Sequence, residues 1–282
     1  MRFFDRLSKG WSLGKTSLQI IQENPTLMLF PIISVTSLIL VSISFFSSGY
    51  VLFGEELLAI SDDVGQINNL DMVLYMILFL FYLVNYFVIV FFNVGLVFCA
   101  KMILEGKETS VGDGIRYAST RFGTILAWAA MAATVGIILK TIQERAGAIG
   151  NILSGVLGFI WGIATFFVVP VIAYEDVTPF EAVKRSGSIM KEKWGESIGA
   201  NFSFGLFNIL GTLFIALPIA YMLGVMVNTI VGIVSGFIVF FLIQAAVSAA
   251  NMVFLAAVYQ HVNNAPTGRF EGEVLDDIFV QK

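Results

Sequence analysis

The segment from Ser197 to His261 contains no Lys, Arg, Asp or Glu. A helix needs only about 20 apolar residues to cross a hydrocarbon core about 30 Å thick, so a single span cannot accommodate this segment. It therefore predicts a transmembrane hairpin, in which two spanning helices are joined by a turn at Asn228. The alternative, a set of long core helices in a soluble protein, would require polar faces on those helices.

Six segments of the sequence have the length and apolar character of spanning helices. They are Leu27–Phe53, Met72–Ile103, Phe122–Thr141, Asn151–Tyr174, Ser197–Val227 and Thr229–Val262. Only 13% of the residues are charged, whereas soluble domains carry roughly 25%. The sequence therefore predicts an all-α, polytopic membrane protein. We expect no cleavable signal peptide, because the first apolar run begins late and exceeds the usual core of about 7–15 residues.

The basic residues are distributed unequally between the two sides of the predicted spans. Fourteen of the 16 lie on one side, and only Lys140 and Arg145 lie on the other. Because Lys and Arg accumulate in cytoplasmic loops, this asymmetry predicts that both termini are cytoplasmic. We expect a multi-pass protein of a prokaryotic cytoplasmic (inner) membrane.

The charged stretch Glu175–Glu196 interrupts the apolar sequence and contains a helix signature. Thr178, Pro179 and Glu181 have the order of a capping box with proline at the first helical position. After them an apolar stripe with spacings of three and four predicts an amphipathic helix on the inner membrane surface. The stripe consists of Phe180, Val183, Gly187, Met190 and Trp194. The candidate lipid- or partner-binding residues are Lys184, Arg185, Lys191, Lys193 and Trp194, with Trp11 of the N-terminal segment.

The same arrangement is predicted twice more along the chain. At an offset of 68 residues, Ser110 and Asp113 take the places of Thr178 and Glu181, and an N-terminal amphipathic helix ends before Pro25. We therefore predict a single membrane domain, 1–282, built from three hairpins that each follow an interfacial helix. Its parts are the interfacial helix 1–26, hairpin 27–103, short helix and hairpin 110–174, interfacial helix and hairpin 178–262, and cytoplasmic tail 263–282.

The motif FEAVKRS at Phe180–Ser186, followed by Trp194, resembles the signature of a loose group of six-span prokaryotic membrane proteins. Most of that group is uncharacterised, and it includes the membrane domain attached to some glycerophosphodiester phosphodiesterases. The segments Gly10–Leu13 and Leu29–Pro31 resemble the starts of one branch. The resemblance implies the six-span fold and the inner-membrane location. It implies no activity, because in the two-domain members the chemistry belongs to the attached soluble domain.

No ionisable group lies near the middle of any predicted span, where a charge costs at least about 2.5–3.5 kcal/mol. We therefore predict that the protein is not an enzyme and holds no metal or cofactor. His261 ends the sixth span, where an interfacial or capping role is expected. A cavity that gathers Glu175, Asp176 and His261 would favour an enzyme instead.

The polar groups predicted at membrane depth are neutral. They are Asn85, Asn93, Asn208, Gln244, Ser248 and Asn251. These side chains form either interhelical hydrogen bonds or the lining of a pore or head-group pocket. Pro218 is a candidate helix break, because a proline inside a spanning helix frees a carbonyl group.

Small residues recur every four positions in two of the spans. They are Gly150, Ser154, Gly158 and Gly162 in the fourth span, and Gly232 and Gly236 in the sixth. Such spacing permits close helix packing, either within the monomer or at an oligomer interface.

Two functional hypotheses follow from the sequence. The first is a non-enzymatic scaffold, or a lipid- or partner-binding protein, of the cytoplasmic membrane. The alternative is a transporter or channel for a neutral or amphiphilic, lipid-like molecule. The expected partners are membrane lipids and either a second protein or another copy of the chain; we expect no nucleic-acid binding.

Overall fold

The computed structural model describes residues 3–60, 70–145, 147–192 and 194–270. These residues form helices and no strand, which confirms the predicted all-α class. The helices are α1 (Phe3–Glu23), α2 (Leu29–Ile60), α3 (Leu70–Leu104), α4 (Val111–Thr120), α5 (Phe122–Arg145), α6 (Gly147–Ala164), α7 (Val168–Tyr174), α8 (Pro179–Glu192), α9 (Trp194–Gly211), α10 (Leu217–Met226) and α11 (Thr229–Val262).

Six segments of the described chain are long and apolar enough to cross a membrane, in agreement with the predicted number. They are Pro25–Val51, Met76–Leu104, Phe122–Arg145, Ile149–Tyr174, Ser203–Met226 and Thr229–Val262. Three of them are not continuous α-helices, since the first begins with the 3₁₀ turn Pro25–Met28. The fourth is divided between α6 and α7, and the fifth contains a π-helical turn between α9 and α10.

The π-helical turn Thr212–Ala216 ends two residues before Pro218. Within it, the N–H of Leu217 donates to the carbonyl of Thr212, five residues earlier. Pro218 has no N–H to offer the carbonyl of Phe214, so it interrupts the regular i→i−4 ladder. A local π adjustment is one way in which a spanning helix accommodates such an interruption.

The spanning helices associate as three consecutive pairs: α2 with α3, α5 with α6, and α10 with α11. A further helix precedes each pair in the chain. Of these, α1 packs against α9 and α11, α4 packs against α3, and α8 packs against α6 and α7. All three lie at the same end of the spans, because each spanning pair returns the chain to the end from which it began.

The hydrophobic core is concentrated at the end of the molecule where α1, α4 and α8 lie, which we call the packed end. There the side chains of Val94, Phe167 and Phe254 are no more than 1% exposed. The other end, which we call the open end, carries large exposed apolar side chains such as Ile152 at 71% and Tyr221 at 75%. Every spanning segment changes from buried to exposed along its length in this same direction.

Two glycines bring α4 against α3 at the packed end. A Cβ atom on Gly114 would lie 2.7 Å from the carbonyl oxygen of Gly95 and 2.5 Å from Cζ of Phe30. Real Cβ atoms do not approach other heavy atoms this closely, so neither contact leaves room for a larger residue. The absence of a side chain at Gly114 thus sets the position of α4 on the bundle.

The segment that follows α11 folds back onto the packed end. Gly268 has a φ of 57° and approaches Leu104, and Phe270 is fully buried. Arg269 forms an ion pair of 2.6 Å with Glu23 of α1. Within the segment that we predicted to be a cytoplasmic tail, Thr267 and Phe270 are therefore buried against the bundle. The rest of the predicted tail, 271–282, lies outside the described residues.

Candidate functional site

A polar cluster joins the ends of α7 and α11 to the middle of α8. We call its members the Glu175 cluster; they are Glu175, Arg185, Tyr259 and Asn263. The Nε of Arg185 and the hydroxyl of Tyr259 both donate to Oε1 of Glu175, at 2.9 Å and 2.5 Å. Nη2 of Arg185 also donates to Oδ1 of Asn263, at 3.0 Å. The Glu175 side chain is only 27% exposed, so this carboxylate is held mainly by protein groups.

Aromatic residues extend the Glu175 cluster to α3. The rings of Tyr174 and Tyr259 stack with centroids 4.8 Å apart, and the Tyr174 hydroxyl donates to the carbonyl of Val97 at 3.1 Å. Nζ of Lys101 lies 5.1 Å from the centre of the Tyr174 ring, within cation–π range. The cluster therefore connects three spanning segments with α8.

A second group of contacts ties α4 to the end of α7. The Tyr117 hydroxyl donates to the carbonyl of Ala173. Nη1 of Arg121 lies 3.3 Å from Oδ1 of Asp176. The two short helices α4 and α8 are thus both anchored at the end of the fourth span.

A capping box fixes the start of α8, the helix that carries Arg185 of the Glu175 cluster. The backbone N–H and hydroxyl of Thr178 donate to Oε2 of Glu181, and the N–H of Glu181 returns a bond to the Thr178 hydroxyl. The bonds from Thr178, first from its backbone, lower the pKa of Glu181 below its ordinary value. Arg185 follows one turn after Glu181, and its hydrogen bond to the Glu175 carboxylate raises the pKa of Arg185.

Glu175 links the end of α7 to α8 and α11 through its hydrogen bonds to Arg185 and Tyr259. A carboxylate that accepts bonds from a guanidinium and a phenol forms charge-assisted hydrogen bonds, which are stronger than bonds between neutral groups. Asp176, the neighbouring acid, has a side chain that is 95% exposed, so it does not line an enclosed cavity with Glu175. Glu175 and Asp176 therefore do not share one enclosed site.

The helix α8 has a buried face and an exposed face. Ala182, Ser186 and Ile189 are at most 1% exposed, and the Ser186 hydroxyl accepts a bond of 2.9 Å from the N–H of Phe167. On another face Phe180 is 79% exposed, and Lys184 and Lys191 are exposed. The spacing from Phe180 to Lys184 to Lys191 is four and seven residues, which places all three on one side of the helix.

This division differs from the predicted stripe. Met190 of that stripe is buried at 3%, whereas Phe180 faces outward. The small side chains of Ala182 and Ser186 form the buried face together with the larger Ile189 and Met190. Arg185 is only partly exposed and belongs to the Glu175 cluster. Lys193 and the side chain of Trp194 lie outside the described residues.

The helix α4 repeats this organisation at the offset of 68 residues. Ser110 and Asp113 form a reciprocal capping box, which lowers the pKa of Asp113. Gly114 and Ala118 are buried at the positions that correspond to Ala182 and Ser186, and Arg116 is exposed where α8 has Lys184. Both helices therefore turn a small-residue face inward and a basic residue outward.

The predicted polar residues at membrane depth occupy different environments. Asn85 donates to the carbonyl of Phe81 in its own helix at 2.7 Å, while Asn93 and Gln244 are partly buried and Ser248 is exposed. Two others, Asn208 of α9 and Asn251 of α11, have buried Oδ1 atoms without a hydrogen-bond partner. An unsatisfied buried amide is costly, which makes these two the notable members of the set.

Asn208 and Asn251 lie at the same height along the α9–α11 interface, because one contact between the two helices lies above them and another lies below. Phe204 and Phe254 have ring centroids 5.9 Å apart. A Cβ atom on Gly211 would lie 2.9 Å from Cγ2 of Ile243. The two asparagines lie between these contacts along the chain on their respective helices. The π-helical turn and Pro218, an exposed residue, follow directly after Gly211.

The predicted small-residue positions also divide into two groups. Cβ atoms on Gly232 and Gly236 would lie 2.5 Å and 2.6 Å from atoms of Ala220, so these glycines face α10. In α6, Gly158 faces Leu139 of α5, whereas a Cβ atom on Gly162 would meet nothing within 4 Å. Gly150 is buried, and Ser154 is partly buried.

The other aromatic candidate, Trp11 of α1, packs against the neighbouring helix α9. Its ring centroid lies 4.2 Å from that of Phe207 on α9, and its side chain is 38% exposed. Trp11 therefore helps to hold α1 against α9, and only part of its surface is open to another molecule.

The comparison with known families gives one result. Residues 72–270 match DUF6159, a family of unknown function. The chain belongs to this family. The DUF6159 match runs from α3 to Phe270, so it includes α4, α8 and every residue of the Glu175 cluster. It makes no link to the membrane domains of glycerophosphodiester phosphodiesterases. No protein with a curated description matches the sequence.

Sequence reasoning named Arg185 and Glu175 separately, and it missed Tyr259 and Asn263 of the Glu175 cluster. Tyr259 is 84 residues from Glu175, and Asn263 is 78 residues from Arg185. No local spacing connects such positions. The available signal was weaker: Tyr174 and Tyr259 each lie near the packed end of a spanning segment, where a hydroxyl can reach a partner.

Proposed function

We propose that this chain is a non-enzymatic integral protein of the cytoplasmic membrane, whose surface helices bind anionic lipid head groups and whose spans form a scaffold. The observation that carries the proposal is the exposed side of α8, where Phe180, Lys184 and Lys191 lie together. An aromatic ring suits the boundary between acyl chains and head groups, and each basic residue near an anionic surface contributes about 1 kcal/mol.

The anchoring of α8 supports this role. Its capping box, its buried Ser186 and the bond from Arg185 to Glu175 hold the helix in one orientation. A surface helix that is already fixed loses little conformational freedom when a lipid binds. The exposed Arg116 of α4 would add a second basic position at the same end.

The proposal includes the orientation of the protein in the membrane. The packed end would face the cytoplasm, with α1, α4 and α8 as interfacial helices and both termini inside. The distribution of basic residues supports this arrangement, because 14 of 16 lie on that side of the spans. A protein partner or a second copy of the chain would join the scaffold at the same surface, and the resemblance of Phe180–Ser186 to six-span membrane proteins is consistent with this location.

Cysteine labelling tests both orientation and surface contact. The native Cys99 is buried at 1% exposure, so a new cysteine at an exposed position would provide the reactive thiol. We expect Phe180→Cys in intact cells to resist a membrane-impermeant maleimide until the membrane is opened. Gln143→Cys, at the open end, is the matched control and should react without permeabilisation. Labelling of Phe180→Cys in intact cells would contradict the orientation.

Depth measurements then test lipid binding. A spin label at Phe180→Cys should lie at the head-group boundary in vesicles that contain anionic lipid. Replacing Lys184 and Lys191 by Gln should move the label toward water, because about 2 kcal/mol of attraction is removed. An unchanged depth in vesicles with and without anionic lipid would contradict the proposed lipid contact.

A transporter or channel for a neutral or amphiphilic molecule is the second candidate. The partnerless Oδ1 atoms of Asn208 and Asn251, one turn from the π-helical segment, favour it. Such oxygens could accept bonds from a hydroxyl or amide group of a passing molecule. Flux of lipid analogues into proteoliposomes, lowered by Asn208→Leu, would support transport, and the absence of substrate-dependent flux would favour the scaffold.

A further inference from the structure

A polar cavity at the open end has a composition that differs from its surroundings. It has a volume of about 700 Å³ and lies between α3, α5 and α6. Its polar lining comes from Tyr82, Lys140, Gln143, Glu144, Asn151 and Ser154. Cavities of about 300–1,000 Å³ are typical of small-ligand sites.

The cavity presents one positive and one negative group close together. Nζ of Lys140 lies 3.8 Å from Oε1 of Glu144, one helical turn away on α5, and the two side chains are 41% and 51% exposed. An ion pair this open remains accessible to a ligand with opposite charges. The hydroxyls and amides of the other polar residues add both donors and acceptors.

Glycines and apolar residues shape the remainder of the site. Gly155 lies on the wall, and a Cβ atom there would meet nothing within 4 Å. Beside the polar residues Asn151 and Ser154, the same helix exposes Ile152 at 71% and Val156 at 52%. Ile152 and Val156 are the neighbours in sequence of Asn151 and Gly155 on the cavity wall, so exposed apolar side chains flank the polar cavity along α6.

We propose that this cavity binds the head group of a zwitterionic phospholipid with a primary ammonium, such as phosphatidylethanolamine. Lys140 would contact the phosphate, and Glu144 would accept bonds from the ammonium. The acyl chains would lie along the apolar surface that includes Ile152 and Val156. That surface favours a lipid over a soluble zwitterion, because a soluble molecule has no chains to place there.

The choice of the primary ammonium follows from hydrogen bonding. An ammonium group has three N–H donors for Glu144, Gln143 and Asn151, whereas the quaternary ammonium of phosphatidylcholine has none. Both lipids carry the same net charge. Selectivity between them therefore depends on the acceptors of the cavity and not on the overall field of the protein.

The experiment measures lipids retained by the full chain in nanodiscs made from equal amounts of phosphatidylethanolamine and phosphatidylcholine. We expect the wild type to retain phosphatidylethanolamine about fivefold over phosphatidylcholine, which corresponds to roughly 1 kcal/mol of differential binding. Glu144→Gln should bring this ratio close to one. The charge exchange Lys140→Glu with Glu144→Lys should not restore it, because the acyl chains fix the order of phosphate and ammonium and the exchange places a carboxylate beside the phosphate.

Controls separate this site from the lipid contact proposed at α8. The double variant Lys184→Gln, Lys191→Gln should leave the ratio unchanged, since both test lipids have the same net charge. Equal retention of both lipids by the wild type, or an undiminished ratio in Glu144→Gln, would overturn the proposal. Soluble phosphoethanolamine should displace less bound lipid than short-chain phosphatidylethanolamine does; equal displacement would assign the cavity to a soluble zwitterion.

Discussion

The packed end and the open end are formed by the same six spanning segments, yet their side chains serve different purposes. At the packed end, α11 is buried almost continuously from Ala249 to Gln260. At the open end, residues of the same helix such as Phe237 are 60% exposed. One helix thus passes from a protein environment into an apolar surface suited to lipid.

The difference shows what holds membrane helices together. Lipid chains are as apolar as Leu or Phe, so apolar side chains alone provide no preference for helix contact over lipid contact. The packed end supplies the additional contributions: small residues such as Gly95 and Gly114 allow close approach, and the Glu175 cluster adds directed hydrogen bonds. At the open end, Gly232 and Gly236 bring α11 against α10 in the same way. At the α5–α6 contact, however, a Cβ atom on Gly158 would lie 3.8 Å from Leu139, which is an ordinary van der Waals distance.

The largest expected difference between the two ends comes from a glycine substitution. Gly114→Ala at the packed end would force a methyl group against Phe30 and the backbone of Gly95. We expect it to lower the free energy of unfolding by about 1–3 kcal/mol, as is usual for overpacking. Thermal unfolding in detergent, followed by circular dichroism, measures the change.

Gly49→Ala, near the open end of α2, is the matched control. A Cβ atom there would meet nothing within 4 Å. Because alanine is more favourable than glycine within a helix, stability should stay the same or rise by up to about 1 kcal/mol. If both variants lose stability equally, the distinction between the two ends is wrong.

Removing the acceptor of the Glu175 cluster should have the next largest effect. Glu175→Gln removes the negative charge opposite Arg185 and weakens two bonds to Oε1. Since both charged side chains are partly exposed, we expect a loss of about 1–2 kcal/mol.

The open-end ion pair provides the comparison for this variant. Glu144→Gln separates two side chains that are 41% and 51% exposed, and such pairs contribute about 0–1 kcal/mol. A double-mutant cycle on Glu175 and Arg185 should reveal coupling, whereas the same cycle on Glu144 and Lys140 should reveal little. Equal coupling energies at the two ends would show that the Glu175 cluster stabilises the fold no more than an exposed ion pair does.

The sequence predicted the spans and the caps because both depend on local order. Hydropathy accumulates along a continuous segment, and a capping box needs only a hydroxyl and a carboxylate three residues apart, as in Thr178 and Glu181. The buried face of α8 was harder to predict. Ala182 and Ser186 contribute little to hydropathy, but their small size lets the helix approach the bundle closely.

The candidate site was predictable only in part. Lys184 and Lys191 were identified because an amphipathic pattern shows which residues avoid the apolar stripe. The Glu175 cluster depends on contacts between residues up to 84 positions apart. The open-end cavity likewise depends on how α3, α5 and α6 meet, which neither composition nor spacing specifies.

A substitution at Asn208, between the packed end and the open end, should change the free energy of unfolding by less and should raise it. Asn208→Leu replaces an amide whose buried Oδ1 has no partner. We expect the free energy of unfolding to rise by up to about 1 kcal/mol, because the desolvated polar atom is removed. Asn85→Leu, which loses a bond within its own helix, should not gain stability. A clear loss in Asn208→Leu would indicate that a bound water or ligand satisfies the amide.

The smallest expected change in stability comes from substitutions in the two capping boxes, and this change depends on pH. The pKa of Glu181 is lowered by its bonds from Thr178, so its stabilising contribution is present at neutral pH. That contribution is lost as the pH falls below the ordinary range of a glutamate through the lowered value. Glu181→Gln should therefore be slightly less stable than the wild type at pH 7, and the two melting temperatures should converge toward pH 3. Asp113→Asn in α4 should behave in the same way, since Ser110 lowers the pKa of Asp113 by the same kind of bond. A difference that stays constant from pH 7 to pH 3 would show that Glu181 stabilises the packed end through packing and not through its charge.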